Sequence, residues 1–100
     1  MIEKQNLDPA DYVNSVVYFG ALSWCAPCKQ LHPWMQKISG QYTGLQFIYV
    51  DVDTADLNLI KKHNIMSVPT VKLFINSEEK ASVTGIKQVD DYARLEALFK

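Results

Sequence analysis

Cys25 and Cys28 are the only thiols in a chain of 100 residues, and two residues separate them. A Cys-x-x-Cys pair suits two kinds of chemistry: it opens and closes a disulfide, or it holds a metal. Disulfide exchange needs a thiolate, so one cysteine of a working pair must ionise more easily than a free thiol. A helix start provides this, because its unpaired N–H groups and its dipole favour negative charge. Leu31, Met35, Ile38 and Tyr42 recur at helical spacing, which predicts an amphipathic helix from about Ala26 to Tyr42 with the motif in its first turn. Pro27 fits that turn, where its missing N–H is not needed. This places Cys25 at the mouth of the helix and Cys28 one turn in, within disulfide reach. Cys25 is then expected to attack a substrate disulfide and Cys28 to resolve the mixed disulfide. Lys29 adds positive charge nearby, as an ordinary solvated lysine.

The competing chemistry is zinc. Cys25, Cys28, His32 and His63 are acceptable ligands and number enough for a closed tetrahedral site. Their spacing argues against it: there is no second Cys-x-x-Cys, and His63 sits far away at a helix end. His32 reads as a helix-surface histidine and His63 as a C-terminal one favoured by the helix dipole. Neither a metal nor a bound cofactor is expected.

The elements that must position the motif can be read in order. Ile2 to Lys4 suggests a short edge strand, and Asp8 with Pro9 announces a brief helix through about Val13. Ser15-Val16-Val17-Tyr18-Phe19, closed by Gly20, is a continuous strand run without polar alternation, so its sheet should be covered on both faces. Pro33 should kink the long helix, and Trp34 beside its apolar stripe should be partly buried. A second strand spans Leu45 to Val52. Asp53 or Thr54 should cap a short helix carrying Leu57 and Ile60, ending near His63-Asn64. Val71 to Ile75 forms a third strand, Asn76-Ser77-Glu78-Glu79 a hairpin turn, and Ala81 to Thr84 the return. Beyond the break at Gly85, a closing helix from Asp90 carries Tyr92, Leu95 and Phe99. Strands separated by a helix imply a right-handed crossover and a parallel pair, whereas the hairpin is antiparallel. The expected fold class is α/β: a mixed central sheet of four to five strands with helices on both faces, in a single domain over residues 1–100.

Composition fits a globular protein. Hydrophobic residues make up 48% and charged residues 21%, a balance against disorder. A net charge of −1 without long blocks of one sign gives no reason to expect nucleic acid or an anionic membrane as partner. No apolar run at the N-terminus resembles a signal core, and none later is long enough to span a bilayer, so a cytoplasmic monomer is expected.

With these motifs in hand, the chain resembles the thioredoxin family. Trp24-Cys25-Ala26-Pro27-Cys28-Lys29 is similar to that family's Trp-Cys-Gly-Pro-Cys-Lys, with Ala26 in place of glycine. Pro33 matches the family's helix-kinking proline, and Val68-Pro69-Thr70 its Ile/Val-Pro-Thr loop, whose proline is cis beside the disulfide. Gly85 falls where the family has a glycine near the substrate groove. The resemblance runs from about Ser15 to the C-terminus. It implies a thioredoxin fold and a protein-disulfide reductase with Cys25 as nucleophile and Cys28 as resolving thiol. Trp24, Ala26 and Pro27, with the backbone around Val68, Pro69, Gly85 and Ile86, would receive a substrate's extended chain. It further implies disulfide-containing protein substrates and a thioredoxin reductase as electron donor. The rival uses are a glutaredoxin-like or disulfide-forming enzyme, less suited to Trp24 and Pro27-Cys28-Lys29, and a scaffold for a partner enzyme, which would not need both cysteines.

One departure is chemical. The family usually carries a buried aspartate in the strand before the motif and a lysine on the neighbouring strand. Here Tyr18 or Phe19 stands for the aspartate, depending on an insertion before Trp24, and Tyr49 for the lysine. Losing both charges together avoids a single buried charge. Ala26 should stiffen the loop between the cysteines.

Overall fold

The computed structural model describes residues 1–100, the side chain of Val89 excepted. β1 (Ile2–Glu3) is a two-residue edge strand, and β2 (Asn14–Gly20) contains the apolar run that precedes the motif. β3 (Gln46–Asp51), β4 (Thr70–Ile75) and β5 (Glu78–Thr84) complete a five-stranded sheet in the order β1-β3-β2-β4-β5. β1 and β2 both run parallel to β3, and β4 runs antiparallel to β2 and β5. This is the mixed sheet expected from the strand–helix–strand crossover and the terminal hairpin.

The lack of polar alternation in β2 has a simple cause. Val16, Val17, Tyr18 and Phe19 are all fully buried because each face of the sheet is covered. Val16 and Tyr18 face one core with Leu31, Met35 and Ile38 of α1 (Ala26–Ser39) and Leu95 of α3 (Val89–Ala97). Val17 and Phe19 face the other with Tyr12, Phe74 and Leu59 of α2 (Leu57–Lys62). Full burial of side chains such as Leu31 and Met35 stabilises the fold by about 1.5–3 kcal/mol each. Trp34 is partly buried against this core, as expected, with its ring 5.0 Å from that of Tyr92 in α3.

The structure corrects several boundaries. Pro9–Tyr12 forms a single 3₁₀ turn capped by Asp8. The long helix stops at Ser39, because the N–H groups of Gly40, Gln41 and Tyr42 fold back onto Lys37 and Ile38. Tyr42 lies beyond the helix, where its hydroxyl donates to Glu96. Asp56, not Asp53 or Thr54, caps α2 by accepting from the Asn58 N–H at 2.9 Å. The hairpin turn is only Asn76-Ser77, both left-handed (φ 53° and 68°), so β5 begins at Glu78. That handedness matches the twist of the flanking strands, which tighter two-residue turns require.

Candidate active site

The motif follows directly on the end of β2. Gly20 closes the strand, and Ala21 accepts from the backbone N–H groups of Trp24 and Cys25 in a tight turn that aims the chain into α1. Cys25 is the N-cap of α1. Its Sγ accepts from the Cys28 N–H at 3.2 Å, so the sulfur is bonded to one of the helix's otherwise unpaired donors. Cys25 and Cys28 form a disulfide, with 5.2 Å between their Cα atoms. Cys25 retains 5% exposure while Cys28 has none, which gives the two sulfurs unequal access to a partner. On reduction, the same N–H and the helix dipole would stabilise a thiolate at Cys25.

Sheet topology brings distant residues to this point. Thr70 pairs with Phe19 on one side and Thr84 on the other, so Pro69 and Gly85 emerge together at the end of the sheet where β2 delivers the motif. The Val68-Pro69 peptide is cis. The Val68 carbonyl oxygen lies 3.9 Å from Cys25 Sγ, and the Thr70 hydroxyl holds the loop by donating to Ser67 O at 2.7 Å. Gly85 is exposed at φ 69°, a conformation that favours glycine. Ile86, next in the chain, is buried in the core with 1% of its surface exposed. Ala26 is exposed and Pro27 half-buried, beside the disulfide in sequence.

Trp24 is 62% exposed, and its indole N–H donates to Asp53 at 2.8 Å. The Ser23 hydroxyl donates to the same carboxylate oxygen at 3.1 Å. Asp53 was expected as a helix cap and is instead the anchor of the tryptophan. An apolar cleft of about 250 Å³ runs beside the indole, lined by Val52, Ile60, Ile65, Met66 and Val68 as well as Trp24. Met66 is 95% exposed there. Nothing in the sequence marked it, because single apolar residues are common at protein surfaces and only the cleft beside it sets this one apart.

Behind the motif, Tyr18 rather than Phe19 faces α1, and it pairs in register with Tyr49. The Tyr18 hydroxyl donates to the Cys28 carbonyl at 3.0 Å, and that of Tyr49 to Asp51 at 3.1 Å. Burial is the main force raising both phenols above their ordinary range; for Tyr49 the bond to Asp51 adds to it.

Both histidines depart from expectation. His32 is not a surface residue: its ring packs 5.9 Å from Tyr18 and 5.1 Å from Tyr49, with Nδ1 sealed from solvent and unpartnered. His63 is the C-cap of α2, as expected, but it is buried, and the Tyr12 hydroxyl lies 2.7 Å from its Nε2. Burial lowers its pKa, reinforced by Lys62 and Lys72 and opposed by Glu79, so the dipole-supported cation expected there gives way to a neutral ring. His63 lies in the core on the α2 side of the sheet and His32 within α1 on the other, so the four zinc candidates do not converge.

A five-stranded mixed sheet that delivers a helix-capping dithiol beside a cis-proline loop defines a thiol–disulfide protein of the Cys-x-x-Cys class. The family model described as Thioredoxin matches residues 5–96. Thioredoxin O2, mitochondrial, of Arabidopsis thaliana is 36% identical over 87 residues, which are 86% of this chain and 54% of that protein. Thioredoxin-3 of Dictyostelium discoideum is 34% identical over 82 residues, 82% of this chain and 77% of the relative. The solved structure of Plasmodium falciparum thioredoxin superposes with a TM-score of 0.86 at 28% identity, covering 100% of both chains. The chain belongs to the thioredoxin family, and it spans little more than half the length of the first of these relatives.

Proposed function

We propose that the protein reduces disulfides in other proteins, with Cys25 as the attacking thiolate and Cys28 as the resolving thiol. The observation that carries this reading is the difference between the two sulfurs. Cys25 lies at the helix N-cap, bonded to a backbone N–H and bordered by the Val68 carbonyl, whereas Cys28 is fully buried one turn in. Cys25 attacks the substrate disulfide and forms a mixed disulfide. Cys28 then displaces the substrate, which leaves reduced while the internal disulfide forms.

The substrate's extended chain lies along Trp24, Ala26, Pro27 and the backbone of Val68, Pro69, Gly85 and Ile86. Support comes from the exposed indole and the apolar cleft beside it. A thioredoxin reductase restores the dithiol, and residues 1–100 act as one monomeric domain without a cofactor. A reductase of this type needs a reducing compartment, and we assign it to the cytoplasm; among the described residues, no helix is long and apolar enough to cross a membrane. One relative bears the name mitochondrial, so cell fractionation must distinguish the two compartments.

Reduction of a protein disulfide by dithiothreitol, followed with and without the chain, tests the activity. Cys28→Ser should trap a mixed disulfide through Cys25. Trapping only through Cys28 in the reciprocal Cys25→Ser variant would reverse the roles.

A further inference from the structure

Resolution of the mixed disulfide requires Cys28 to lose a proton, and this thiol is fully buried. An apolar setting holds a thiol protonated, so some group must take that proton. Neither phenol behind the motif is suited to do so. The Tyr18 hydroxyl donates to the Cys28 carbonyl and that of Tyr49 donates to Asp51, so each proton already points at an acceptor. The Asp51 carboxylate is engaged in turn by the Tyr49 hydroxyl and the Asp53 N–H.

His32 remains. It follows Cys28 by four residues in α1, so the two side chains share a helix face, with about 5–6 Å between Cβ atoms. Its ring packs against both Tyr18 and Tyr49, on the strands that lie behind the cysteines. Nδ1 is sealed from solvent and has no hydrogen-bond partner. A buried polar atom left unpaired costs about 1–3 kcal/mol, and such an atom in a folded protein calls for a reason. The residue as a whole is only half-buried. Nδ1 therefore lies in the protein interior on a residue that keeps part of its surface in water, as a proton shuttle requires.

We propose that His32 is the proton acceptor for Cys28 in the resolving step. Nδ1 takes the proton of the Cys28 thiol, directly or across one water. The resulting thiolate forms the S–S bond with Cys25 as the bond between Cys25 and the substrate sulfur breaks. The substrate sulfur leaves with the electron pair and takes a proton from solvent, while His32 releases its own through Nε2. The substrate is reduced by two electrons and the dithiol oxidised to the disulfide, so no further reactant is required.

The surroundings favour a ring that is neutral before it acts. Burial lowers the His32 pKa, the N-terminal amino group adds to this, and Glu3 opposes it. The other titratable groups on this side are Tyr18 and Tyr49, which pack against the ring, Asp51, which is bonded to Tyr49, and Tyr92, which acts on Tyr18 from α3.

The inference rests on the role assignment proposed for Cys25 and Cys28, and its test separates the two. Reduced protein is mixed rapidly with a protein disulfide between pH 5.5 and 9, and formation and resolution of the mixed disulfide are followed separately in the wild type, His32→Gln and His32→Ala. Formation through Cys25 should keep its rate. Resolution should slow about tenfold or more near neutral pH in both variants, with its pH midpoint moved up toward that of an ordinary thiol. Unchanged resolution overturns the proposal, as does equal slowing of both steps with an unmoved midpoint, which marks a packing role. A wild type that forms no mixed disulfide through Cys25 overturns the role assignment, and this inference with it. Should the variants fail to fold, the wild type still decides: the NMR titration midpoint of the His32 ring should differ between the disulfide and dithiol forms, and identical midpoints overturn the proposal.

Discussion

Gly20 allows two tyrosines to stand side by side beneath the motif. A Cβ at this position would lie 2.9 Å from Cε1 of Tyr18 and 3.0 Å from Cε1 of Tyr49. Neither ring can easily yield, because each hydroxyl is bonded, Tyr18 to the first turn of α1 and Tyr49 to Asp51. Gly20→Ala should therefore destabilise the oxidised protein by about 1–3 kcal/mol, the usual cost of overpacking, as measured by denaturant titration. Tyr18→Phe keeps the ring and removes only the bond to the Cys28 carbonyl, so about 1 kcal/mol should be lost. A loss in Tyr18→Phe as large as that in Gly20→Ala would mean that the hydroxyl, not the ring's position, holds the pair. The sequence left Tyr18 and Phe19 open as the residue behind the motif. Strand alternation decides between them, but only once it is known which face of β2 meets α1, and that depends on tertiary packing.

At the scale of elements, the turn between β3 and α2 shows why helix caps were harder to read than helices. Asp51, Asp53 and Asp56 all lie within reach of the start of α2, and any of them has the chemistry of an N-cap. The chain uses each differently: Asp51 closes the turn by accepting from the Asp53 N–H, Asp53 holds Trp24, and Asp56 caps. Asp56→Ala should then cost about 1 kcal/mol of stability. Asp53→Ala should leave stability nearly unchanged but free the indole, which Trp24 fluorescence and the KM for a protein disulfide would report. The reverse pattern would return the cap to Asp53. The hairpin gives a second case. Asn76-Ser77 lacks the glycine that usually announces a two-residue turn, so a longer turn was expected. Ser77 bears a left-handed φ of 68° at a cost that glycine avoids, and Ser77→Gly should raise the thermal midpoint.

Across the whole molecule, the pattern of apolar runs was enough to give the sheet, its mixed direction and its two covered faces, because strand burial and crossover handedness follow general rules. The cysteines were legible as residue types with few alternative uses, whereas Pro69, which alone reads equally as a strand-start proline, entered through the resemblance of Val68-Pro69-Thr70 to the family's loop. The histidines were not. Their sequence positions suit solvent, and only the packing of the two cores shows that both are drawn inward. This has a consequence for stability. Burial lowers the pKa of His63 first, with Lys62 and Lys72 adding to it, and burial likewise lowers that of His32. A histidine whose folded pKa lies below its unfolded value of 6.5 leaves the unfolded chain holding more protons as the pH drops. The stability linked to it is fully present above about pH 6.5 and is lost as pH falls through the folded value. Protonation also makes both ring nitrogens of His63 donors, which leaves Nε2 only the donor role toward the Tyr12 hydroxyl oxygen. The urea midpoint of the oxidised protein should therefore decline between pH 7.5 and 5, before the carboxylates titrate. In His63→Gln the decline should be smaller, since only His32 remains to drive it, and an equally steep decline in that variant would remove His63 from the account.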